Sequence, residues 1–389
     1  MTVDRPASRS RHRFHATTLA LAAGLLAVVL LPARAGAAVP PTTPVPPTTP
    51  PATVPFTSPV VGWRAAVDGE PVGLAVDGDD VAVLAADEVR LLDARTGTLR
   101  WRTATVDAYD ARPALGPTRV VVTGDRSVGV LDRVTGTVVA RTPFPDPGAA
   151  VVGTDDRGAE VVAVASETGR RVGVLDADTG RLRWTARFGA PTWAAPGITA
   201  GVAVVAGESD HGSLLAAYDL ETGAVRWRIR RGPDSSALLA ADGIVYFAAG
   251  DRRTLPRVEA FDARTGRRRW ATRFPGALGA AIEPTRLGDH LYLLDARGTL
   301  GSFRLADGRA EWFQPTGHDV VVSRVVAGAG RVAWTTFLDE VVVVDAATGA
   351  VVEAWRPHGV PIDLAWGPGG LVRALRLADP ARVEGVVGP

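Results

Sequence analysis

The 389-residue sequence contains no cysteine, no lysine and no asparagine, and it has a single methionine. Without cysteine the chain cannot form disulfides, iron–sulfur clusters, thiolate zinc sites or a cysteine nucleophile. The bias towards arginine, alanine and valine indicates a GC-rich bacterial genome, which we expect to be actinobacterial. The 43 basic and 42 acidic residues give a net charge of +1, which argues against a strongly basic nucleic-acid binder.

Residues 1–37 have the three parts of a secretory signal peptide. Arginines precede an apolar run from Leu19 to Leu31, and small residues follow in Ala33–Ala37. The apolar run makes a helix of about 20 Å, which falls short of the roughly 30 Å hydrocarbon core. We therefore predict cleavage and an extracytoplasmic location, secreted or in the cell envelope, with an uncleaved anchor as the alternative. A lipoprotein is excluded, because lipidation requires a cysteine at the cleavage site.

Residues 38–59 are rich in proline and threonine. This composition cannot form helices or sheet ladders and favours extended polyproline II. We interpret the segment as a semi-rigid linker between the signal and the rest of the chain. A ligand for proline-reading modules or an O-glycosylated tract is the alternative.

From residue 60 onward one short motif recurs seven times. Clear copies are LLDARTGTLRW at 91–101 and AYDLETGAVRW at 217–227, in which a tryptophan follows D-x-x-T-G. Successive repeat glycines are 39 to 44 residues apart, a spacing typical of a repeat architecture. The structural repeat residues are Trp63, Asp93, Gly97, Trp101, Asp132, Gly136, Asp176, Gly180, Trp184, Asp219, Gly223, Trp227, Asp262, Gly266, Trp270, Gly308, Trp312, Asp345, Gly349 and Trp355.

Each copy of the motif predicts a tight hairpin between two apolar, β-rich runs. The aspartate side chain can accept hydrogen bonds from backbone N–H groups two and three residues on, and the glycine supplies the left-handed backbone that closes the turn. The tryptophan lies on the outgoing strand, where it can pack on the neighbouring unit. About four short strands in each repeat, with no helical pattern, predict an all-β propeller built of four-stranded antiparallel blades.

The repeat length predicts eight blades for residues 60–389, which we interpret as one β-propeller domain. Trp63 occupies the tryptophan position of a unit whose first three strands are missing upstream, and residues after 360 supply about three strands without D-x-x-T-G. We therefore expect the N-terminal strand to complete the C-terminal blade, which closes the ring and removes free sheet edges. A seven-bladed ring with a loose tail is the alternative.

The repeat resembles that of the pyrroloquinoline-quinone (PQQ) family, whose signature is A-x-D-x-x-T-G-x-x-x-W. The resemblance covers nearly all of residues 60–389 and implies that each tryptophan packs against an adjacent blade. Three repeats depart from the signature. They have Ala140 in place of tryptophan, Arg304 in place of aspartate, and Trp355 two residues later than the usual position. We expect the blades with these departures to be locally looser. The family contains quinone-dependent dehydrogenases and non-catalytic scaffolds, so the resemblance leaves the function open.

The chain does not match the known PQQ chemistry of this family. Its alcohol dehydrogenases hold PQQ beside a vicinal disulfide, with calcium bound by acidic residues and asparagine, whereas this sequence has neither cysteine nor asparagine. We therefore expect no PQQ and no other cofactor. No nucleophile elbow, P-loop or dinucleotide-binding motif is present, so no catalytic residue is assigned. The histidines beyond the signal have no metal-ligand spacing and are His211, His290, His318 and His358.

Loops that differ between blades provide the candidate recognition residues. Segments 207–213 and 250–257 are both predicted to join second and third strands of neighbouring blades, so they emerge on one ring face. Arginine and aromatic side chains beside carboxylates suit a recognition patch, and ordinary solvated loops are the alternative. The candidate partner face consists of Trp193, Glu208, Asp210, His211, Arg252, Arg253 and Arg257.

The sequence thus predicts an exported, non-catalytic propeller that binds a protein or an envelope component through one ring face. We expect it to be a monomer and not to bind nucleic acid. One alternative is a quinoprotein-like oxidoreductase or another enzyme that uses the central funnel. A propeller that binds a glycan or another polymer is the other alternative.

Overall fold

The computed structural model describes most of the chain from residue 59 onward. The described ranges are 59–85, 88–104, 112–192, 194–209, 212–232, 234–235, 238–251, 254–275, 283–295, 298–317, 324–378 and 380–387. The predicted signal peptide and residues 38–58 of the linker lie outside them. The described elements are all β-strands, 33 in number. Within these ranges no helix is long and apolar enough to cross a membrane.

The strands form eight antiparallel sheets, which are the blades of a ring. The chain starts with β1 (Val61–Ala66), which belongs to the last blade. Blade 1 contains β2 (Pro71–Asp77), β3 (Asp80–Ala85), β4 (Glu88–Asp93) and β5 (Leu99–Ala104). Blade 2 contains β6 (Ala114–Leu115), β7 (Arg119–Thr123), β8 (Ser127–Asp132) and β9 (Val138–Pro143). Blade 3 contains β10 (Pro147–Thr154), β11 (Glu160–Ser166), β12 (Arg171–Asp176) and β13 (Leu182–Arg187).

The remaining five blades follow in the same order. Blade 4 contains β14 (Gly197–Thr199), β15 (Val202–Ser209), β16 (Gly212–Asp219) and β17 (Val225–Arg231). In blade 5 two short strands take the innermost place, so it contains β18 (Asp234–Ser235), β19 (Leu239–Ala241), β20 (Ile244–Asp251), β21 (Thr254–Asp262) and β22 (Arg268–Arg273). Blade 6 contains β23 (Thr285–Leu287), β24 (His290–Leu294), β25 (Thr299–Arg304) and β26 (Ala310–Pro315). Blade 7 contains β27 (Val326–Gly328), β28 (Arg331–Thr335), β29 (Val341–Asp345) and β30 (Val351–Trp355). Blade 8 contains β31 (Val360–Gly367), β32 (Gly370–Arg376) and β33 (Arg382–Val387), together with β1.

The ring closes through its first strand, as predicted. β1 pairs antiparallel with β33, with Arg64 opposite Glu384. β1 thereby becomes the fourth strand of blade 8, after β31, β32 and β33. The eight-bladed prediction is confirmed, and the seven-bladed alternative is wrong, because the C-terminal strands form a complete blade with β1.

The hairpin between the third and fourth strands of a blade is closed by the repeat motif. In blade 1, Oδ1 of Asp93 accepts hydrogen bonds from the backbone N–H groups of Arg95 and Thr96, each at 3.0 Å. The N–H of Gly97 donates to the carbonyl of Asp93 at 2.8 Å. Gly97 has a φ of +70°, a left-handed conformation that glycine adopts without steric cost. The side chain and the glycine together define where the outgoing strand begins.

Tryptophan side chains on the outer strands connect each blade to the next. Nε1 of Trp101 donates to the carbonyl of Arg133 in blade 2 at 2.8 Å. The ring lies so close to Gly136 that a Cβ at that glycine would come within 2.5 Å of it. Four other tryptophans make the same hydrogen bond, in which the indole N–H donates to the carbonyl of the residue after the turn aspartate. In blade 6 that residue follows Arg304, which takes the place of the aspartate. The four are Trp63, Trp184, Trp227 and Trp270.

The departures from the repeat have different consequences. At Arg304 the N–H of Gly308 still donates to the carbonyl of residue 304 at 2.8 Å, and Gly308 keeps a φ of +71°. Contrary to our expectation of a looser blade, this turn keeps its backbone hydrogen bond and glycine conformation. In place of the missing aspartate, Asp307 pairs with Arg304 and accepts a hydrogen bond from the N–H of Arg309 at 3.1 Å. At Ala140 the strand lies close to the next blade, since a Cβ on Gly180 would be 2.1 Å from the Cβ of Ala140. Nε1 of Trp355 is buried and has no hydrogen-bond partner among the described residues.

The core lies between adjacent blades. Every residue of β3 and β11 is buried, because the middle strands of a blade are covered on both faces by their neighbours. Between blades 4 and 5, for example, Val204 and Leu215 pack against Val245 and Phe247. Burial of such apolar surface contributes about 25 cal/mol for each Å². The inter-blade packing therefore holds the loops at the two ends of the ring in fixed positions.

Candidate functional site

The antiparallel order of the blades divides the loops between two faces. We call the face that carries the hairpins between second and third strands, together with the connections between blades, the upper face. The lower face carries the hairpins between first and second strands and between third and fourth strands. This follows from the strand order within each sheet. The predicted recognition loops therefore both lie on the upper face.

Two of the seven predicted recognition residues are described by the structure. Glu208 lies near the upper end of β15, opposite Ser213, and its N–H donates to the carbonyl of Pro191 at 3.2 Å. Arg257 lies in β21 of the neighbouring blade and is exposed. The other five are outside the described residues and stay predictions; these are Trp193, Asp210, His211, Arg252 and Arg253.

The sequence reasoning overlooked apolar side chains on the same face. Phe337 and Leu338 form the tip of the hairpin between β28 and β29 and are 59% and 60% exposed. Leu377 follows β32 in the next blade and is 73% exposed. We call these three side chains the apolar tips. Two adjacent apolar residues within a turn were the sequence signal for them, because turns are normally polar.

A central cavity of about 380 Å³ lies at the upper end of the innermost strands. Its described lining is largely apolar and includes Val152, Ile198 and Leu238. The polar side chains among the described lining residues are Arg112, Glu283 and Arg324.

The charged residues occupy one repeat position around the channel. Arg112 and Glu283 each lie seven residues before the first residue of their blade's second strand. The same position holds Arg324 in blade 7 and Asp363 in blade 8. Smaller residues occupy it in three other blades, which have Gly73, Gly153 and Ala195 there. We call this set the channel ring.

Ion pairs connect the charged members of the channel ring. Nη2 of Arg112 pairs with Oε1 of Glu283, and these residues belong to blades 2 and 6, which are opposite each other in a ring of eight. Nε of Arg324 pairs with Oδ1 of Asp363 at 3.1 Å. Its Nη2 also donates to the carbonyl of Leu74 at 3.0 Å. At the upper end of the channel these contacts join blade 2 to blade 6, and blade 7 to blades 8 and 1.

Burial and charge act in opposite directions on these groups. Desolvation of the carboxyl of Glu283 raises its pKa, but the nearby guanidinium of Arg112 outweighs it and the pKa is lowered. Desolvation disfavours the charged form of Arg112, but Glu283 and Asp363 raise its pKa. For Arg324 desolvation prevails and the pKa is lowered. Glu283 and Arg112 therefore remain a charged pair at neutral pH.

The channel ring offers binding groups rather than an obvious reaction centre. Its two arginines and two carboxylates balance in charge, and each is in an ion pair. Among the described residues, no group of three or more histidine, aspartate or glutamate side chains is placed to hold a metal ion. The upper face therefore combines exposed apolar side chains with a small, charge-balanced opening.

A family model described as outer membrane protein assembly factor BamB matches the chain over residues 60–141, 125–213 and 168–373. The crystal structure of BamB from Moraxella catarrhalis is similar, with a TM-score of 0.65 and 17% identity over 84% of this chain and 99% of that chain. The computationally designed Ika8 protein is similar with a TM-score of 0.64 and 15% identity, over 84% of this chain and 99% of that chain. A europium-containing methanol dehydrogenase has a TM-score of 0.61 and 15% identity, over 81% and 84%. No curated protein sequence matches the chain.

Proposed function

Because the chain belongs to the family described as outer membrane protein assembly factor BamB, we propose that it is an exported, non-catalytic propeller that binds a protein partner of the cell envelope through its upper face. The export part of the proposal rests on the signal-like residues 1–37. The similar solved structures include a dehydrogenase and a designed protein, so the fold alone leaves the activity open.

The exposed apolar tips are the observation that carries this proposal. Phe337 and Leu338 extend from blade 7 and Leu377 from the adjacent blade 8, all on the upper face. Apolar side chains at the centre of an interface contribute most when a partner removes them from water. Exposed Arg257, on blade 5 of the same face, suits the polar rim of such an interface.

The described donor set does not fit PQQ with calcium, which supports a non-catalytic role. Calcium takes six to eight oxygen ligands, most of its charge being balanced by carboxylates, and the described residues contain no group of three histidine, aspartate or glutamate side chains that could hold a metal ion. The carboxylates of Glu283 and Asp363 are paired with arginines. The quinoprotein alternative is tested by titration with PQQ and Ca²⁺, and stoichiometric binding would overturn the non-catalytic assignment.

The experiment that tests partner binding compares the two faces. The full-length protein is tagged and used to capture proteins from an envelope extract of the source cells. We expect one protein to be captured in about equal molar amount, and to be lost with the double variant Phe337→Asp, Leu338→Asp, because charge at the tips prevents their desolvation. The captured amounts are measured by quantitative mass spectrometry.

Val134→Asp provides the matched control, because Val134 is an 83% exposed valine in a turn of the lower face. This variant should capture the partner as well as the unmodified protein does. Equal capture by the Phe337→Asp, Leu338→Asp variant, or no capture even after crosslinking, contradicts the proposed function.

A further inference from the structure

A second cavity lies on the lower face, between blades 6 and 7, away from the apolar tips and the channel ring. Its volume is about 600 Å³, within the range of small-molecule sites. Its floor includes Ser302 and Tyr292, and Trp312 forms one wall. Turns of the lower face at Gly288 and Gly330 form part of its edge. We call it the inter-blade pocket.

The pocket coincides with a departure from the tryptophan contact between blades. At five other positions the indole N–H donates to a carbonyl of the next blade, as Trp270 does to Leu305 at 2.9 Å. In this pocket the corresponding carbonyl, that of Ala346, instead accepts a hydrogen bond from the hydroxyl of Tyr292 at 3.0 Å. The indole of Trp312 still packs over the turn glycine, since a Cβ on Gly349 would lie 2.6 Å from its Cζ3. Its N–H has no partner among the described residues.

Ser302 belongs to the floor of the pocket but is not accessible to a ligand. It is completely buried, and its side chain lies close to the hydroxyl of Tyr292, where it acts to lower the pKa that burial raises. The indole N–H of Trp312 is therefore the position that the described pocket residues leave free for a hydrogen bond to a ligand.

The charges around the pocket are arranged in pairs. Nη1 of Arg331 pairs with Oδ2 of Asp345 at 2.6 Å, and Nδ1 of His290 with Oδ1 of Asp289 at 2.7 Å. Glu311 has the guanidinium of Arg309 at 4.0 Å. Each of the three carboxylates described around the pocket thus has an arginine or imidazole nitrogen within 4.0 Å. A ligand with several hydroxyl groups can hydrogen-bond to these polar groups without carrying a charge of its own.

The pocket also offers aromatic surface. His290, Tyr292 and Trp312 form a row with ring centroids 6.3 and 6.0 Å apart. Tyr292 is buried beneath the other two, whereas Trp312 is only half-buried. A ligand with an apolar face and polar edges could therefore cover the indole of Trp312 while its edge reaches the free N–H and the paired charges.

We propose that the inter-blade pocket binds a neutral carbohydrate unit of one or two sugar rings. A sugar ring presents C–H groups on its faces and hydroxyl groups along its edge, which matches the aromatic wall and the polar edge of the pocket. The volume accommodates a disaccharide. This site is independent of the proposed partner face, so either assignment can fail without affecting the other.

The test uses saturation-transfer-difference NMR on the full-length protein with maltose, cellobiose, trehalose and N,N′-diacetylchitobiose. Glucuronic acid and arginine ethyl ester are the anionic and cationic probes. We expect at least one neutral disaccharide to bind with a Kd of about 1 mM or below. For a reducing disaccharide that binds, the methyl glycoside is tested next, because its blocked reducing end imitates a unit within a glycan chain. Binding of the glycoside indicates a glycan unit and loss of binding indicates a free sugar, and both results support the pocket.

Two tryptophan variants locate the binding. Trp312→Phe keeps an aromatic face but removes the free N–H donor, so affinity should fall roughly three- to tenfold; Trp312→Ala should abolish binding. Trp227→Phe, which removes an indole that already donates to Ala263 at 2.8 Å, should bind the sugar unchanged. Absence of binding by all neutral sugars, binding of the charged probes alone, or unchanged affinity in both Trp312 variants overturns the proposal.

Discussion

Six turn aspartates of the repeat have a lowered pKa, so that their ionised form is favoured in the folded protein. In Asp93 the hydrogen bond from Arg100 is the main cause that lowers the pKa to about 2. In Asp219 desolvation raises the pKa, but hydrogen bonds from Thr222 and Arg226 outweigh it and lower the pKa to about 2. The pKa is also lowered in the other members, which are Asp132, Asp176, Asp262 and Asp345. These turns therefore link the stability of the ring to pH.

We predict that the protein loses stability between about pH 4 and pH 2. A carboxyl whose pKa is lower in the folded protein than its ordinary value of 3.8 stabilises the fold above that value, and this contribution disappears as the pH falls towards 2. Asp219→Asn should lower the free energy of unfolding by about 1 kcal/mol at pH 7 and should flatten its dependence on acid pH. Urea unfolding at several pH values measures both effects.

Asp178→Asn is the control for this prediction, because Asp178 lies in the corresponding turn of blade 3 with a side chain 65% exposed, and its ion pair with Arg119 at 2.7 Å is of the surface type that contributes little to stability. We expect that variant to retain the steeper acid dependence of the unmodified protein. The interpretation fails if Asp219→Asn and the unmodified protein lose stability in parallel as the pH is lowered.

At the scale of the element, blade 8 is the position where the two ends of the domain meet. Trp63 of β1 packs on Gly97 of blade 1 and donates from Nε1 to the carbonyl of Ala94 at 3.1 Å. On its other side, the ring lies against Gly385 of β33. The closing strand is thus held by a backbone ladder and by one indole between two glycines.

We predict that Gly385→Ala weakens the closure of the ring. Its Cβ would lie 2.2 Å from Nε1 of Trp63, so the indole or β1 must move, and overpacking of this kind costs about 1–3 kcal/mol. Gly369→Ala in the same blade is the matched control, because its nearest contact would be 3.6 Å away. Urea unfolding should show a clear loss for the first and a change within about 0.5 kcal/mol for the second.

Hydrogen exchange measured on β1 should increase in Gly385→Ala and remain unchanged in Gly369→Ala. A stable Gly385→Ala variant with a fully protected β1 would show that the indole between the glycines does not hold the closure.

The fold could be predicted from the sequence because each blade repeats the same local chemistry. D-x-x-T-G specifies a turn by hydrogen bonds between neighbouring residues, and Trp63 without its preceding strands indicated the shared blade. The channel ring was not predicted, because Arg112 and Glu283 are 171 residues apart and meet only through closure of the ring. Their equivalent repeat position was present in the sequence but needed the strand boundaries to be recognised. The partner-face predictions stay largely open, because most of those residues are outside the described ranges.

At the scale of the whole molecule, the Arg112–Glu283 pair is a contact between opposite sides of the ring. Blades 2 and 6 are four positions apart, so no inter-blade packing joins them directly. Both side chains are about one quarter exposed, and the pair lies at the cavity that opens towards the proposed partner face. Removal of one partner leaves the other charge partly buried and without full compensation. This destabilises the folded protein more than replacement of both partners by apolar residues does.

We predict that exchange of the two charges destabilises the protein less than the sum of the two single reversals. Arg112→Glu places two carboxylates across the channel and Glu283→Arg places two guanidinium groups there, and each should lower the free energy of unfolding by about 3 kcal/mol. The double variant re-forms a pair of opposite charges, so a coupling free energy of about 1–3 kcal/mol is expected from urea unfolding.

The same double-mutant cycle on the surface pair of Arg157 and Glu221, which are 76% and 65% exposed, is the control and should give a coupling free energy of about 1 kcal/mol or less. Strictly additive effects at 112 and 283 would mean that the two charges act separately, each through its own blade, and that the upper end of the channel is held by inter-blade packing alone.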